Sequence, residues 1–291
     1  MTETHWTKTI LPRRRLLDIP WRELWRYRDL VWLMAKRNLT AQYKQTVLGP
    51  AWFIIQPLLT TMVFSFLFGR VANLGTDHIP HFLFYMSGLV IFGFFSECVN
   101  KTSHTFTHNA RIFGKVYFPR LAAPMAQMLT SLAGFCVQFT VFLIGLAFYW
   151  AKMHWFPDPL HSIHLNLNWH IVLFPLLLAQ TAMLGLGVGF IVAGLTTRYR
   201  DLQMAVSFGV QLWMYASSVV FPLSKIKDPT FVALLKLNPM VPVIESFRRS
   251  FLGEGIVTQG DLLVSAATCV VVFFVGLMMF CKTEQTVMDT V

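Results

Sequence analysis

Six long stretches of the chain consist almost entirely of apolar residues, and this feature limits the possible fold more than any other. They cover about 49–68, 82–99, 121–151, 171–195, 202–221 and 262–281. A helix of about 20 apolar residues crosses the hydrocarbon core of a bilayer, which is about 30 Å thick. No alternating apolar and polar pattern indicates the strands of a barrel. We therefore predict an all-α membrane protein with six transmembrane helices per subunit.

The composition also favours a membrane protein over a soluble or nucleic-acid-binding one. The chain is 55% hydrophobic and 13% charged, and this charged share is about half of that in soluble proteins. A net charge of +10 is also found in nucleic-acid-binding domains. The basic residues, however, are clustered between the apolar stretches, as the positive-inside rule predicts. We expect the chain to contact a membrane and no nucleic acid.

The distribution of Lys and Arg predicts the orientation of the chain. Of the 24 basic residues, 17 lie before the first stretch, between the second and third, between the fourth and fifth, or after the sixth. Such basic segments remain in the cytoplasm, so both termini are expected there. The chain is thus divided into a cytoplasmic N-terminal segment (1–48), a transmembrane domain (49–282) and a cytoplasmic tail (283–291).

Two further segments are predicted to lie at the membrane surfaces. Within residues 19–40, one helical face holds the apolar residues Trp21, Leu24, Trp25, Val31, Trp32, Ala35 and Leu39, and most of the basic residues lie outside it, although Arg28 lies within it. This arrangement predicts an amphipathic interface helix. Between the fifth and sixth spans, 231–235 and 243–252 are apolar but too short to cross, and Pro239 lies between them. External re-entrant half-helices are predicted there, and a loosely packed external cap is the alternative.

The chain contains no motif for an energy-yielding reaction. It lacks GxxxxGK[ST], HExxH and GxSxG. His104 and His108 are one helical turn apart but have no Cys or carboxylate ligands nearby, so no metal site is predicted. The third to sixth stretches contain no ionisable Asp, Glu, Lys, Arg or His, and only Glu97 near the end of the second comes close. Since ion-coupled carriers need such groups, the driving force must come from another protein.

Uncharged polar residues recur at helical spacing in three of the stretches. They are Trp52 and Gln56 in the first, Gln127, Ser131, Gly134 and Gln138 in the third, and Ser207, Gln211, Tyr215 and Ser218 in the fifth. Amide, hydroxyl and aromatic groups suit a hydroxyl-rich ligand. The same groups also form hydrogen bonds between membrane helices, so both interpretations stay open.

Five short segments, in a fixed order, point to one family. They are YKQTVLGPAWFIIQPL (43–58), GKVYFPR (114–120), RYRDL (198–202), QLWMYAS (211–217), and LNPM (237–240) followed by ESFR (245–248). Together they resemble permeases of the type-2 ABC exporter family, in the branch that exports O-antigen, capsule and teichoic-acid polymers. The resemblance implies a permease subunit that exports a lipid-linked polysaccharide, O-antigen first among the candidates, across a bacterial inner membrane.

The resemblance also implies partners and sites. It implies a homodimer joined to two copies of a separate ATPase subunit, which binds ATP and Mg²⁺, so no cofactor is expected in this chain. Cytoplasmic connections would dock onto the ATPase as coupling helices, through Asn109, Arg111, Lys115, Arg120, Arg198, Arg200 and Asp201. Aromatic and amide groups near the dimer axis would line a channel, namely Trp52, Phe53, Gln56, Gln211, Trp213 and Tyr215. The His-rich segment 154–170 matches nothing in the family.

Two alternatives remain at this point. The first is a permease of the same family that moves a small lipid or drug. The second is a membrane-bound transferase, which would need acidic or His residues near the headgroup layer. Asp77, His78 and His81 form the only such external cluster beside a span.

Overall fold

All regular structure in the described part of the chain is helical. The computed structural model describes residues 21–44, 46–76, 79–113, 118–155, 169–197, 199 and 201–289, and no strand occurs among them. The α-helices are α1 (Trp21–Arg26), α2 (Arg28–Tyr43), α3 (Trp52–Phe64), α4 (His81–Ser103), α5 (Thr105–Phe113), α6 (Ala122–Trp155), α7 (Phe174–Thr196), α8 (Leu202–Tyr215), α9 (Pro229–Lys236), α10 (Met240–Leu252) and α11 (Gln259–Asp289). The predicted all-α fold is confirmed.

Among the described residues, five helical segments are long and apolar enough to cross a membrane. They are Gly49–Val71, His81–Ser103, Ala122–Lys152, His170–Thr196 and Gln259–Glu284. They correspond to the first, second, third, fourth and sixth predicted spans and differ from them by only a few residues at each end. The first combines a 3-10 turn, α3 and a π-helix, Ser65–Val71. The chain is therefore an integral membrane protein.

The fifth predicted span, 202–221, is not one continuous helix. Helix α8 ends at Tyr215 after 14 residues, and at 1.5 Å per residue it is about 21 Å long. Residues 216–221 form turns and a bend instead. Irregular backbone at membrane depth must be enclosed by protein, and Ser217, Ser218 and Val219 are indeed almost completely buried.

Helices α9 and α10 form the predicted pair of half-helices. They meet at an angle of 97° across a short break. Pro239 lies in this break, where it cannot continue α9 as a hydrogen-bonded helix. Gly253 ends α10 with φ +84°, a left-handed conformation typical of a helix C-terminus. Helix α10 is buried along almost its whole length, so the loosely packed cap is wrong.

The interface helix is divided into α1 and α2, and its apolar face is divided as well. Val31 and Ala35 of α2 are buried against the first turns of α6. Trp25 and Trp32 are instead 72% and 66% exposed. The prediction placed these four residues on one shared face. In the structure the small aliphatic residues contact the bundle, and the tryptophans remain available to the headgroup layer.

Helix α4 lies at the centre of the bundle, and the most apolar part of it is 72% buried. Small residues bring its neighbours close to it. A Cβ atom on Gly185 would lie 2.6 Å from Cys98 of α4, and one on Gly189 would lie 2.6 Å from Thr102. Helices α7 and α11 also cross in direct backbone contact at Gly187 and Gly276. Close approach at glycines is a common basis of helix packing in membranes.

Candidate transport pathway and coupling surface

Helices α3 and α8 each contact α4 on one side and leave the other side exposed. Only 6% of the apolar part of the first span is buried, so lipid or another protein surface must cover it. Neither helix contains a charged residue. The large exposed apolar side chains include Leu59 and Met62 of α3 and Met204, Phe208 and Leu212 of α8. We call the two exposed sides together the α3/α8 face.

Four of the six predicted channel-lining residues lie on the α3/α8 face. Trp52 is 47% exposed and Tyr215 is 45% exposed, and the amides of Gln56 and Gln211 are exposed as well. The face therefore presents aromatic rings and neutral hydrogen-bonding groups. Such groups bind a hydroxyl-rich chain without requiring it to carry charge.

The other two predicted channel residues point into the protein. The Phe53 ring is half-buried and contacts the Tyr43 ring edge-on, with 5.2 Å between centroids. Trp213 packs against Phe95 of α4 at 5.1 Å. Its indole N–H donates to Asn238 Oδ1 at 2.9 Å. In the single subunit, Trp213 therefore fixes the break between α9 and α10 to the end of α8.

The predicted coupling residues that the structure describes, Asn109, Arg120 and Asp201, lie at one end of the bundle, which we call the α5 end. Arg120 is buried, stacks over the Phe113 ring at 5.4 Å and donates to the Glu284 carbonyl at 3.2 Å. Burial lowers the pKa of the Arg120 guanidinium from its ordinary value, and the nearby Glu284 opposes this shift. The residue thus joins the end of α5 and the start of α6 to the end of α11.

The remaining coupling residues differ in their surroundings. Asn109 is buried and donates to the Thr105 carbonyl within α5 at 2.9 Å, so its amide serves its own helix. Asp201 is exposed immediately before α8. Gln203, two residues on, donates to Thr107 of α5 at 3.4 Å. The start of α8 is therefore in contact with α5. Lys115, Arg198 and Arg200 and the side chain of Arg111 lie outside the described residues.

A buried ion pair in α10 was not predicted. Arg248 and Glu245 are one helical turn apart, their Nη1 and Oε1 atoms are 3.0 Å apart, and their side chains are 1% and 5% exposed. The basic-residue count had placed Arg248 in an external loop. The sequence could have indicated this pair, because an acidic and a basic residue at i, i+3 in an otherwise apolar segment can form an ion pair and be buried together.

The Arg248 guanidinium connects three elements. It donates to the carbonyls of Ser218 at 2.5 Å and Val219 at 3.2 Å, just beyond α8. It also donates to Ser87 Oγ of α4 at 3.3 Å and lies 3.6 Å from the Phe84 ring centroid. These carbonyls have no helical partner, because α8 has already ended. Arg248 thus stabilises the non-helical end of the shortened α8.

Comparison with known proteins assigns the chain to a class of transporter. Residues 29–252 match the ABC-2 type transporter family, and the chain belongs to this family. It is therefore a membrane subunit of an ABC transporter, in which a separate ATPase subunit hydrolyses ATP. The transferase alternative is wrong, because the family's membrane subunits are not enzymes. Of its proposed residues, Asp77 and His78 lie outside the described residues.

Several relatives are similar along nearly their whole length. An O-antigen export system permease protein, RfbA of Myxococcus xanthus, is 30% identical over 89% of this chain and 94% of its own. A Klebsiella pneumoniae protein of the same name is 26% identical over 88% of this chain and 92% of its own. The polysialic acid transport protein KpsM of Escherichia coli is 22% identical over 87% and 93%.

Proposed function

We propose that this protein is the permease subunit of an exporter that moves lipid-linked O-antigen across the inner membrane. The observation that supports this proposal best is the α3/α8 face, which is exposed, uncharged, and rich in aromatic and amide groups at membrane depth. Relatives that match nearly the whole chain are named for O-antigen export. A hydroxyl-rich polymer can slide along such a face, since rings and amides offer many weak contacts and no strong one.

The transport pathway in this proposal is formed by two copies of the chain. Because so little of the first span is buried within one subunit, a second α3/α8 face opposite the first would cover it. Two facing copies would enclose a channel between Trp52, Gln56, Gln211 and Tyr215 of each. Two ATPase subunits then bind to the dimer, one below each α5 end.

Coupling in this proposal takes place at the α5 end, with both termini in the cytoplasm. The 17 basic residues on that side favour this orientation. Helix α5 and the turn at Asp201 would contact the ATPase, which binds ATP and Mg²⁺. Movement of α5 would reach α8 through the Gln203–Thr107 contact and α11 through Arg120.

The pathway is tested in cells that lack the gene and depend on a plasmid copy. Trp52→Ala and Tyr215→Ala should reduce surface O-antigen, visualised on gels of cell-envelope extracts, at equal membrane levels of the protein. Trp32→Ala is the matched control, because Trp32 is an exposed tryptophan as well but lies on α2. Full export by the Trp52→Ala, Tyr215→Ala double variant would contradict the assigned pathway.

Coupling and substrate are tested with the protein and its ATPase in proteoliposomes. Lipid-linked O-antigen should stimulate ATP hydrolysis, and Arg200→Ala with Asp201→Ala should abolish the stimulation. Unchanged stimulation in that variant would contradict the coupling assignment. If small lipids or drugs stimulated ATP hydrolysis and lipid-linked polysaccharide did not, the result would instead favour the alternative of a permease that moves a small lipid or drug.

A further inference from the structure

A polar cavity of about 310 Å³ lies at the α5 end, between α2, α4 and α6. Seven of its eight lining residues carry polar side chains. Those that matter here are Asn38 and Gln42 of α2, Asn100 and Lys101 of α4, His104, and Gln127 of α6. Gln42 and His108 are exposed and the other polar lining residues are half-buried, so the cavity opens to the surface and a ligand can enter it. Its volume lies within the range of about 300–1,000 Å³ typical of small-molecule sites.

The cavity is close to electrically neutral. Lys101 Nζ lies 2.7 Å from Glu97 Oε2, and both side chains are mostly buried. The Glu97 carboxylate therefore offsets the only permanently charged lining group. Burial, and then the neighbouring His108, lower the pKa of His104 from its ordinary value, so this imidazole is uncharged at neutral pH. An anionic ligand gains little in such a site.

The lining groups both donate and accept hydrogen bonds. Carboxamides and the neutral imidazole of His104 each offer a donor and an acceptor, and the Lys101–Glu97 pair offers both together. The His104 and His108 rings are stacked, with 5.4 Å between centroids and 20° between planes. Sugar hydroxyls, which also donate and accept, match this set. Metal binding does not, because the described residues hold no cluster of three His, Cys, Asp or Glu side chains.

The cavity adjoins the α3/α8 face. Asn100 Oδ1 accepts a hydrogen bond from Ser207 Oγ of α8 at 3.3 Å. On the side of α3, a Cβ atom on Gly134 would meet the Phe53 ring at 2.8 Å and Glu97 at 3.8 Å, so Phe53 and Glu97 are close neighbours. A ligand in the cavity would therefore be next to both helices of the proposed pathway.

We propose that this cavity is the first binding site for the sugar chain, where one or two units of the lipid-linked polysaccharide are held by neutral hydrogen bonds before they move along the α3/α8 face. This inference rests on the proposed function and adds to it a second, separate contact with the substrate. The Lys101–Glu97 pair orients its own donor and acceptor for the sugar, and Gln127 supplies an amide from the opposite wall.

Photo-crosslinking in polysaccharide-producing cells tests the location. A benzophenone amino acid is placed at Gln42, which is exposed on α2 at the cavity, and at Tyr215 on the α3/α8 face. Leu33 is the matched control, since it is exposed on the same helix but nine residues away, on the opposite side at about 100° per residue. After irradiation, covalently attached polysaccharide appears as a ladder above the protein band that reacts with a glycan stain.

The outcomes separate the two proposals. Ladders at Gln42 and Tyr215 but not at Leu33 are expected. A ladder at Tyr215 alone, or equal ladders at Gln42 and Leu33, overturns the cavity as a sugar site and leaves the proposed function intact. The absence of ladders at all three positions, with O-antigen at the surface unchanged by loss of the gene, overturns the proposed function itself.

A second measurement tests the chemistry in proteoliposomes that also contain the ATPase. Gln127→Leu should raise the concentration of lipid-linked O-antigen that gives half-maximal ATPase stimulation by about fivefold, the effect of one lost hydrogen bond. Gln259→Leu, the same change at the start of α11 and outside the cavity, should not alter it. Equal values for Gln127→Leu and the unaltered protein overturn the inference. Glu97→Gln should give an equal or higher value, and a lower one would mean that the ligand is an anion.

Discussion

Replacing Arg248 with methionine should destabilise the protein far more than the same change at Arg249. Methionine has a similar length and removes the charge. In the variant Glu245, whose side chain is 5% exposed, would remain as a buried carboxylate without its partner. The carbonyls of Ser218 and Val219 would lose their donor as well.

The expected magnitude follows from these contacts. Removing one partner of a buried ion pair costs about 3–5 kcal/mol, and a protein of this size loses roughly 2–4 °C in Tm per kcal/mol. We therefore expect Tm to fall by roughly 10 °C. Arg249 makes one hydrogen bond, to the Val257 carbonyl at 3.2 Å, and is only partly buried. Its loss should cost about 1 kcal/mol.

The assay is thermal unfolding of the purified protein in detergent, followed by tryptophan fluorescence, with the monodisperse fraction after heating as a second readout. A double variant, Glu245→Leu with Arg248→Met, removes both members of the pair and serves for a double-mutant comparison with Arg248→Met. Replacing both members of a buried pair with apolar residues is often nearly neutral. The double variant should therefore recover at least half of the lost Tm, and the remaining loss reflects the two carbonyls without a donor.

Two results would refute this reasoning. One is an equal decrease in Tm for Arg248→Met and Arg249→Met, which would mean that burial of the pair is unimportant. The other is a double variant no more stable than Arg248→Met, which would mean that the unpaired Glu245 charge contributes nothing. In that case the stabilising effect of Arg248 would lie only in its hydrogen bonds to the end of α8.

Three further predictions concern packing and pH. Trp213→Phe keeps the ring on Phe95 but loses the bond to Asn238, so the free energy of unfolding should fall by about 1 kcal/mol in thermal denaturation; no change would mean that water replaces the bond. Gly276→Ala places a methyl group against the backbone of α7 and should cost about 1–3 kcal/mol, measured as folded yield. In Gly209→Ala the methyl group meets nothing within 4 Å, and an equal loss there would contradict the packing argument. Because the folded-state pKa of His104 is lowered, its contribution to stability is present above its unfolded pKa of about 6.5 and is lost as the pH falls from that value to the lower folded-state pKa. The decrease in Tm between pH 7.5 and 5.5 should therefore be smaller in His104→Gln, as scanning calorimetry would detect.

The transmembrane helices could be predicted from the sequence because a bilayer sets a simple length requirement. An uncharged apolar stretch of about 20 residues has few alternatives to a helix. For this reason the first, second, third, fourth and sixth spans were predicted to within a few residues. The half-helices α9 and α10 were predicted on the same basis, from stretches too short to cross and a proline between them.

The end of α8 could not be predicted, because the reason for it lies elsewhere in the chain. Residues 216–221 (ASSVVF) are uncharged and mostly small, and their pattern fits a helix as well as a buried turn. The free carbonyls there are satisfied by Arg248, about 30 residues farther along. Similarly, helical spacing put Trp32 and Val31 on one apolar face. Only the position of α6 determines which of them becomes buried.

The candidate channel could be predicted only in part, because its lining also depends on contacts between helices that are distant in sequence. Sequence spacing identifies which residues share a helix face, and Trp52, Gln56, Gln211 and Tyr215 do lie on exposed faces. It does not identify which neighbouring helix a residue meets. Trp213 therefore turned out to contact α4 and Asn238, and the cavity beside Gln127 depends on three helices that are distant in sequence.

The backbone contact between Gly187 and Gly276 has a consequence for how such a transporter can move. Two helices that touch at their main chains can neither rotate nor slide past each other without steric overlap. Helix α7 also packs closely on α4, where Gly185 and Gly189 lie against the side chains of Cys98 and Thr102. These three helices should therefore move as one rigid frame during each ATP cycle. Any displacement that pushes a polymer outward has to occur in α3 and α8, which are attached to that frame on one side only.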